Sequence, residues 1–196
     1  MPILTDAEIL RRITYEQIII EPFRRECLGS NSYDVHLGKT VAWYAYDSYE
    51  PAGVGLPGHL DAKKQHEVQY HDIQPEGFVL WPGELYLAVT EEYTETHRHV
   101  PALDGKSSIG RLGIAIHVTA GKGDVGFCGH WTMEIFVIKP VRVYAGMPIG
   151  QLTYFETSGQ PIQTYDKKKD QKYNHGRQES PRPMPSSMYR NTDGTW

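Results

Sequence analysis

Apolar positions change their spacing along this chain, and each change marks an element. In TDAEILRRI, near the start, Ile9 and Ile13 fall four apart, which predicts a short helix with Thr5 as its cap and Glu8 closing a capping box. The spacing then drops to two. IIIEPF and SYDVHLGKTVAWYAY read as strands, and in the second Tyr33, Val35 and Leu37 alternate with Asp34, His36 and Gly38. Residues 47–75 are polar and rich in Gly, Pro and His, so a long loop is expected there. FVLWPGELYLAVTEEYTE predicts two strands about a Pro-Gly turn, followed by the loop THRHVPAL.

Residues 105–136, GKSSIGRLGIAIHVTAGKGDVGFCGHWTMEIF, read as strand, short helical turn, strand, glycine-rich turn, strand. VRVYAGMPIGQLTYFE adds a turn-linked strand pair about Ala145-Gly146. From Ser158 onward periodicity is lost. The expected organisation is one domain over residues 1–178, including a tail, and a Pro/Ser-rich extension over 179–196. Short strands, many turns and one terminal helix predict a mostly β protein, a barrel or distorted sandwich.

Composition supports this without adding a second domain. The chain has 196 residues, and its 13 Tyr, 19 Gly and 13 Pro favour strands and turns over a helix bundle. A net charge of −4 gives no electrostatic footprint for nucleic acid, so an anion would need a local basic site. No apolar run is long enough for a membrane span, and MPILTDAEILRR lacks an apolar signal core, so a cytoplasmic protein is expected. Two cysteines, Cys27 and Cys128, argue against a disulfide framework and against a cysteine zinc site.

Candidate chemistry gathers in residues 105–136. If residues 107–112 form a helical turn, Ser107 and Arg111 share one face, with Lys106 and Ser108 beside them. Hydroxyls, a guanidinium and free N–H groups suit phosphate, although an ordinary turn of small residues reads the same way. In HWTMEIF, alternation puts Trp131, Met133 and Ile135 on one face and Thr132, Glu134 and Phe136 on the other. A carboxylate beside Phe136 is a candidate general acid/base; a solvent-facing Glu is the plainer reading. Asp124 among glycines is ordinary turn chemistry. His97, Arg98 and His99 have no partner at metal-ligand spacing and read as a solvated loop. Lys167–Lys169 with Lys172 and Arg177 read as a soluble tail, one that could also close over a polyphosphate.

Taken together, GKSSIGRLGI, HVTAGKGDVGFCGHWTMEI and AGMPIGQLTYFE resemble the dCTP deaminase branch of the dUTPase-like family. SYDVHLG, FVLWPGELYLAVTEE and YDKKKDQKYN add to the likeness, which runs with gaps over residues 1–178. The resemblance implies a distorted β-barrel assembled as a homotrimer, with active sites between subunits. It implies that Lys106, Ser107, Ser108 and Arg111 contact a triphosphate, which carries Mg2+. Asp124 would lie by the deoxyribose, Thr132, Met133 and Glu134 along the pyrimidine, and the Ala120 carbonyl by the attacking water. Tyr165 and Lys172 on the tail would complete the phosphate site. His117 matches a position associated with feedback by dTTP.

The chain departs from the family in the poorly matched stretches 47–75 and 96–103 and at three further places. Lys106 stands where arginine is usual, and Glu134 is followed by IFVIKPV. Gly176 occupies the tail position of a glutamine, with Gln178 two residues on. Zinc deaminases carry an H-x-E…P-C-x-x-C signature, and neither half occurs here, so deamination without zinc is expected. Gly121, Gln151 and the PRPMPS run resemble the branch that carries dCTP on to dUMP and pyrophosphate, leaving dUTP and dUMP both open as products. The rival readings are a dUTP pyrophosphatase without deamination, and a nucleotide-binding protein that has lost catalysis.

Overall fold

A computed structural model describes residues 2–51 and 58–191. In chain order its elements are α1 (Asp6–Thr14), β1 (Ile18–Glu21), β2 (Tyr33–Tyr44), β3 (Val68–Asp72), β4 (Phe78–Leu80), β5 (Tyr86–Thr96) and β6 (His99–Gly105). There follow α2 (Ser107–Arg111), β7 (Ile114–Ala115), β8 (Cys128–Val137), β9 (Val141–Val143) and β10 (Pro148–Glu156). The main sheet runs β6-β10-β2-β5-β8-β7, with β1 added on β5 and β3 on β2. A second, two-stranded sheet pairs β4 with β9. The mostly β, barrel-like architecture expected from the alternation is the one observed.

The sheet curls around side chains that the alternation had placed inside. Tyr33, Val35 and Leu37 from β2 meet Met133 and Ile135 from β8 and Leu152 and Tyr154 from β10. Ile9 of α1 is buried against this core, and Ile13 packs at its margin. Each fully buried Leu, Ile or Met contributes about 1.5–3 kcal/mol, so a one-residue slip of β8 would forfeit several such terms.

Several sequence expectations need correction. The Thr5 side chain makes no cap hydrogen bond; Glu8 instead pairs with Arg11 and Arg12, at 3.3 and 3.4 Å, so its carboxylate does not close the box. The stretch 47–75 is not all loop, because Val68–Asp72 pairs with β2; its residues 52–57 lie outside the described residues. HVPAL in the expected loop 96–103 belongs to β6, which runs antiparallel to β10. The Pro-Gly and Ala145-Gly146 turns do join strands, but neither makes a hairpin. In each case one strand goes to the small sheet and the other to the large one.

A register shift between Val89 and Tyr93 bulges β5 against β8. It turns Glu92 inward, where the side chain is fully buried. Glu92 Oε2 accepts the His36 N–H at 2.8 Å, and Oε1 lies 2.6 Å from His36 Nδ1 and 3.2 Å from Arg24. Arg24 also holds Glu91. A buried carboxylate survives only with such partners.

Candidate active site

The site begins with the pleat of β8. Trp131, Met133, Ile135 and Val137 are buried, while Thr132 and Glu134 face the other way beside Val89 and Leu87 of β5. The Glu134 N–H donates to the Ile116 carbonyl at 3.0 Å, fastening the strand to the stretch after β7. Its carboxylate then accepts the Val118 N–H at 3.0 Å and the Thr119 N–H at 3.4 Å, both on Oε2. Two main-chain donors on one oxygen fix where the carboxylate points, which a loose surface Glu lacks.

Glu134 opens onto a pocket of about 560 Å³. Ala120, Asp124, Thr132 and Tyr165, all sequence candidates, line the same pocket. Leu85, Leu87, Phe127 and Trp131 supply apolar wall. A few polar groups converging in a largely apolar cleft make a small-molecule site.

The tail docks on this face through named contacts. Gly126 sits at φ +93°, and a Cβ there would come within 2.8 Å of the Tyr165 main-chain nitrogen, so only glycine lets the tail approach. The Tyr165 N–H donates to the Val125 carbonyl at 2.8 Å, and its hydroxyl oxygen accepts the Lys172 and Tyr173 N–H groups, each at 3.1 Å. Asn174 accepts the Cys128 N–H at 2.9 Å and donates to the Gly126 carbonyl at 3.1 Å. Lys168 reaches Asp124 at 3.3 Å.

The phosphate candidates lie elsewhere on the chain. Lys106 precedes the single turn α2, and its ammonium is held by Asp34 of β2. Gln151 of β10 stands opposite Asp34 on one side and Asp104 on the other. Ser107, Ser108 and Arg111 are exposed on the turn. None of Lys106, Ser107, Ser108, Arg111 and Gln151 lines the Glu134 pocket. Lys172 is half-buried in the docked tail and Gln178 is exposed.

Two further placements depart from the implied roles. The Met133 side chain is fully buried in the core, so only its main chain faces the pocket side. His117 is half-buried with no hydrogen-bond partner for Nε2 among the described residues. Burial pushes its pKa down, opposed by the Leu103 carbonyl and by the charges of Glu134 and Asp104.

His97 pairs with Glu95 at 2.9 Å, but His99 is buried rather than on a solvated loop, and burial pushes its pKa down. Donor atoms of His36, Glu91 and Glu92 lie within 4.8 Å of one another, but Arg24 already neutralises both acids. Sequence reasoning missed Tyr44 and His130, and it gave the PRPMPS run no place in the site, yet Tyr44, His130, Tyr173 and Met184–Ser186 all line the pocket. His130 shares the Thr132 and Glu134 face of β8, so the alternation could have found it, whereas it flags no role for Tyr44 at the end of β2 or for an aperiodic tail.

Comparison with known proteins identifies the family of the chain. The family described as dCTP deaminase-like matches residues 3–157. A "dCTP deaminase, dUMP-forming" of Clostridium botulinum (strain Alaska E43 / Type E3) is 43% identical over 190 residues, covering 96% of this chain and 97% of that protein. One of the same description from Leptospira biflexa serovar Patoc is 46% identical over 158 residues, 81% of this chain and 84% of the relative. Among solved structures, the 2'-deoxycytidine 5'-triphosphate deaminase from Agrobacterium tumefaciens shares the fold. It superposes with a TM-score of 0.57 at 22% identity, over 78% of this chain and 47% of that one, so this chain spans about half its length. The pocket around Glu134, the barrel that carries it and a match spanning most of the sequence all converge: this chain belongs to the dCTP deaminase-like family.

Proposed function

We propose that the protein hydrolytically deaminates dCTP and carries the product on to dUMP and pyrophosphate, without zinc. The observation that carries this reading is Glu134, fixed by the Val118 and Thr119 N–H groups at the wall of a nucleoside-sized pocket. The relatives named dUMP-forming at 43–46% identity support the product, as do Gly121, Gln151 and the PRPMPS run. In the deamination, water adds to C4 of cytosine as Glu134 takes its proton. The same carboxylate returns that proton to N3 and assists departure of ammonia. The Ala120 carbonyl holds the water, Asp124 meets the deoxyribose, and Thr132 with the main chain of Met133 borders the base. A second water then cleaves the nucleotide between its α- and β-phosphates, giving dUMP and pyrophosphate.

Phosphate recognition falls to Lys106, Ser107, Ser108, Arg111 and Gln151, with Tyr165, Lys172 and Gln178 from the tail. Cations and hydroxyls fit a triphosphate that brings its own Mg2+, and the Asp34 carboxylate beside them is already bound to Lys106. Separation of this cluster from the pocket favours a homotrimer in which one chain's turn faces its neighbour's Glu134. Exposed Leu112, Phe136 and Ile138 about the β7–β8 edge favour the same assembly. His117, close behind Gly121, is the position through which dTTP would feed back. A cytoplasmic enzyme with no nucleic-acid or membrane partner is the matching setting; among the described residues no helix is long and apolar enough to cross a membrane.

The test is incubation with dCTP and Mg2+, following ammonia and separating nucleotides. Ammonia with dUMP and pyrophosphate is expected. Ammonia with dUTP alone would overturn the second step. Hydrolysis of dUTP without ammonia from dCTP would overturn the first.

A further inference from the structure

Tyr44 closes β2 and carries a hydroxyl that the deamination chemistry above does not use. Register fixes where it stands. Glu134 lies opposite Leu87, and Leu87 opposite Ala42. Tyr44 is two residues beyond Ala42 on the same side of β2, so its main chain is about 12 Å from that of Glu134. Leu85 and Leu87 form the pocket floor between them. The loop that fixes Glu134 joins β8 from the other side, where β7 lies, through Ile116, Val118 and Thr119. Tyr44 and that loop therefore face each other across the pocket.

The phenol is half-buried, and its ring meets that of His66 edge-on, with centres 6.1 Å apart. Its oxygen accepts the Ser186 N–H at 3.0 Å, and among the described residues its own O–H has no acceptor. One lone pair is thus occupied and the hydrogen is left for the pocket. Burial pushes the Tyr44 pKa up; the Ser186 N–H opposes this, while Tyr173, Glu134 and Tyr70 add to it. The phenol keeps its proton at neutral pH. A protonated phenol at the wall of a largely apolar cleft is a fixed donor that lacks only an acceptor on the ligand.

We propose that the Tyr44 hydroxyl donates a hydrogen bond to O2 of the pyrimidine and stabilises the charge that gathers there during deamination. The proposal rests on the reading of this site as a deoxycytidine nucleotide site. Glu134 and the Ala120 carbonyl hold the water at C4, so the ring edge turned toward β2 is the opposite one, whose acceptor is O2. When water adds to C4, the electron pair of the C4–N3 double bond moves to N3, which is conjugated with the C2 carbonyl. Negative charge collects on O2 until Glu134 returns the proton to N3. A donor already aimed at O2 stabilises that charge more than it stabilises bound dCTP, so its effect falls on kcat.

Tyr44→Phe keeps the ring and removes only the hydroxyl. Binding of dUMP and of 2-thio-dUMP, in which a poorly accepting sulfur replaces O2, is measured by calorimetry on the full chain and on the variant. The full chain is expected to prefer dUMP by about tenfold and Tyr44→Phe by less than about twofold, while ammonia release at saturating dCTP falls about tenfold or more. Retention of the preference by Tyr44→Phe overturns the proposal. So does a loss of affinity for both nucleotides by the same factor, because the phenol would then serve only as the acceptor for Ser186. Absence of any preference in the full chain overturns it as well. Collapse of the preference in the variant, with no ammonia from the full chain, supports the contact and overturns the deaminase reading alone. Failure of the full chain to bind dUMP overturns both.

Discussion

Glu134 receives two main-chain N–H groups on a single oxygen, and this decides what a substitution there will do. Glu134→Gln keeps a carbonyl oxygen to accept from Val118 and Thr119, so the loop stays in place while the proton acceptor is lost. Ammonia release is expected to fall by about 10²–10⁴-fold. Affinity for dCTP should change less than about threefold, because the amide fills the same space. A rate within tenfold of the unsubstituted chain would remove Glu134 from the role of base. At this scale alternation in HWTMEIF was enough to put Glu134 and Thr132 on the open face, and it also put Met133 in the core. The role that the resemblance implied for Met133 therefore reaches the ligand only through its main chain. Glu92 was illegible for the opposite reason: a bulge in β5 breaks the alternation and sends an acid inward, to partners more than fifty residues away.

Among elements, the glycine-rich turn before β8 and the tail are made for each other. At φ +93°, Gly126 adopts a conformation that costs an L-residue about 1–2 kcal/mol, and an added methyl would meet the Tyr165 main chain. Gly126→Ala should therefore destabilise the fold by about 2 kcal/mol and undock the tail. Trypsin would then cut faster after Lys167–Lys169, and ammonia release would drop. Gly159→Ala, with nothing within 4 Å, is the control expected to leave both unchanged. Equal cleavage of the two variants would show that Gly126 does not set the docking. Local spacing announced strands, turns and the order of elements in residues 105–136, because side-chain alternation is a property of neighbours. It could not say that β4 pairs with β9, or that His99 begins a strand, because pairing is decided by chain far away in sequence. The aperiodic tail gave motifs and charge but no periodicity from which to place it; many of its bonds are made by main-chain N–H groups, which every residue but proline carries.

Across the whole molecule, the pocket and the phosphate cluster are separate, which makes assembly a question about catalysis. If one chain's Arg111 serves its neighbour's Glu134, two differently damaged chains can repair each other. Arg111→Ala chains keep Glu134, and Glu134→Gln chains keep Arg111; each preparation alone is expected to be inactive or nearly so. When the two are unfolded together and refolded, a cyclic assembly places an intact Arg111 beside an intact Glu134 at about a quarter of its sites. Recovery of about that share of activity, with a sedimentation mass of three chains, is the expected outcome. A site built within one chain predicts no recovery at any mixing ratio, since every chain would carry one lesion in its own site. The exposed side chains at the β7–β8 edge sharpen the test: Leu112 is 56% exposed and Ile138 73%. Ile138→Lys should weaken the trimer and remove the recovered activity together. Loss of the trimer with full retention of activity would place the complete site inside a single chain.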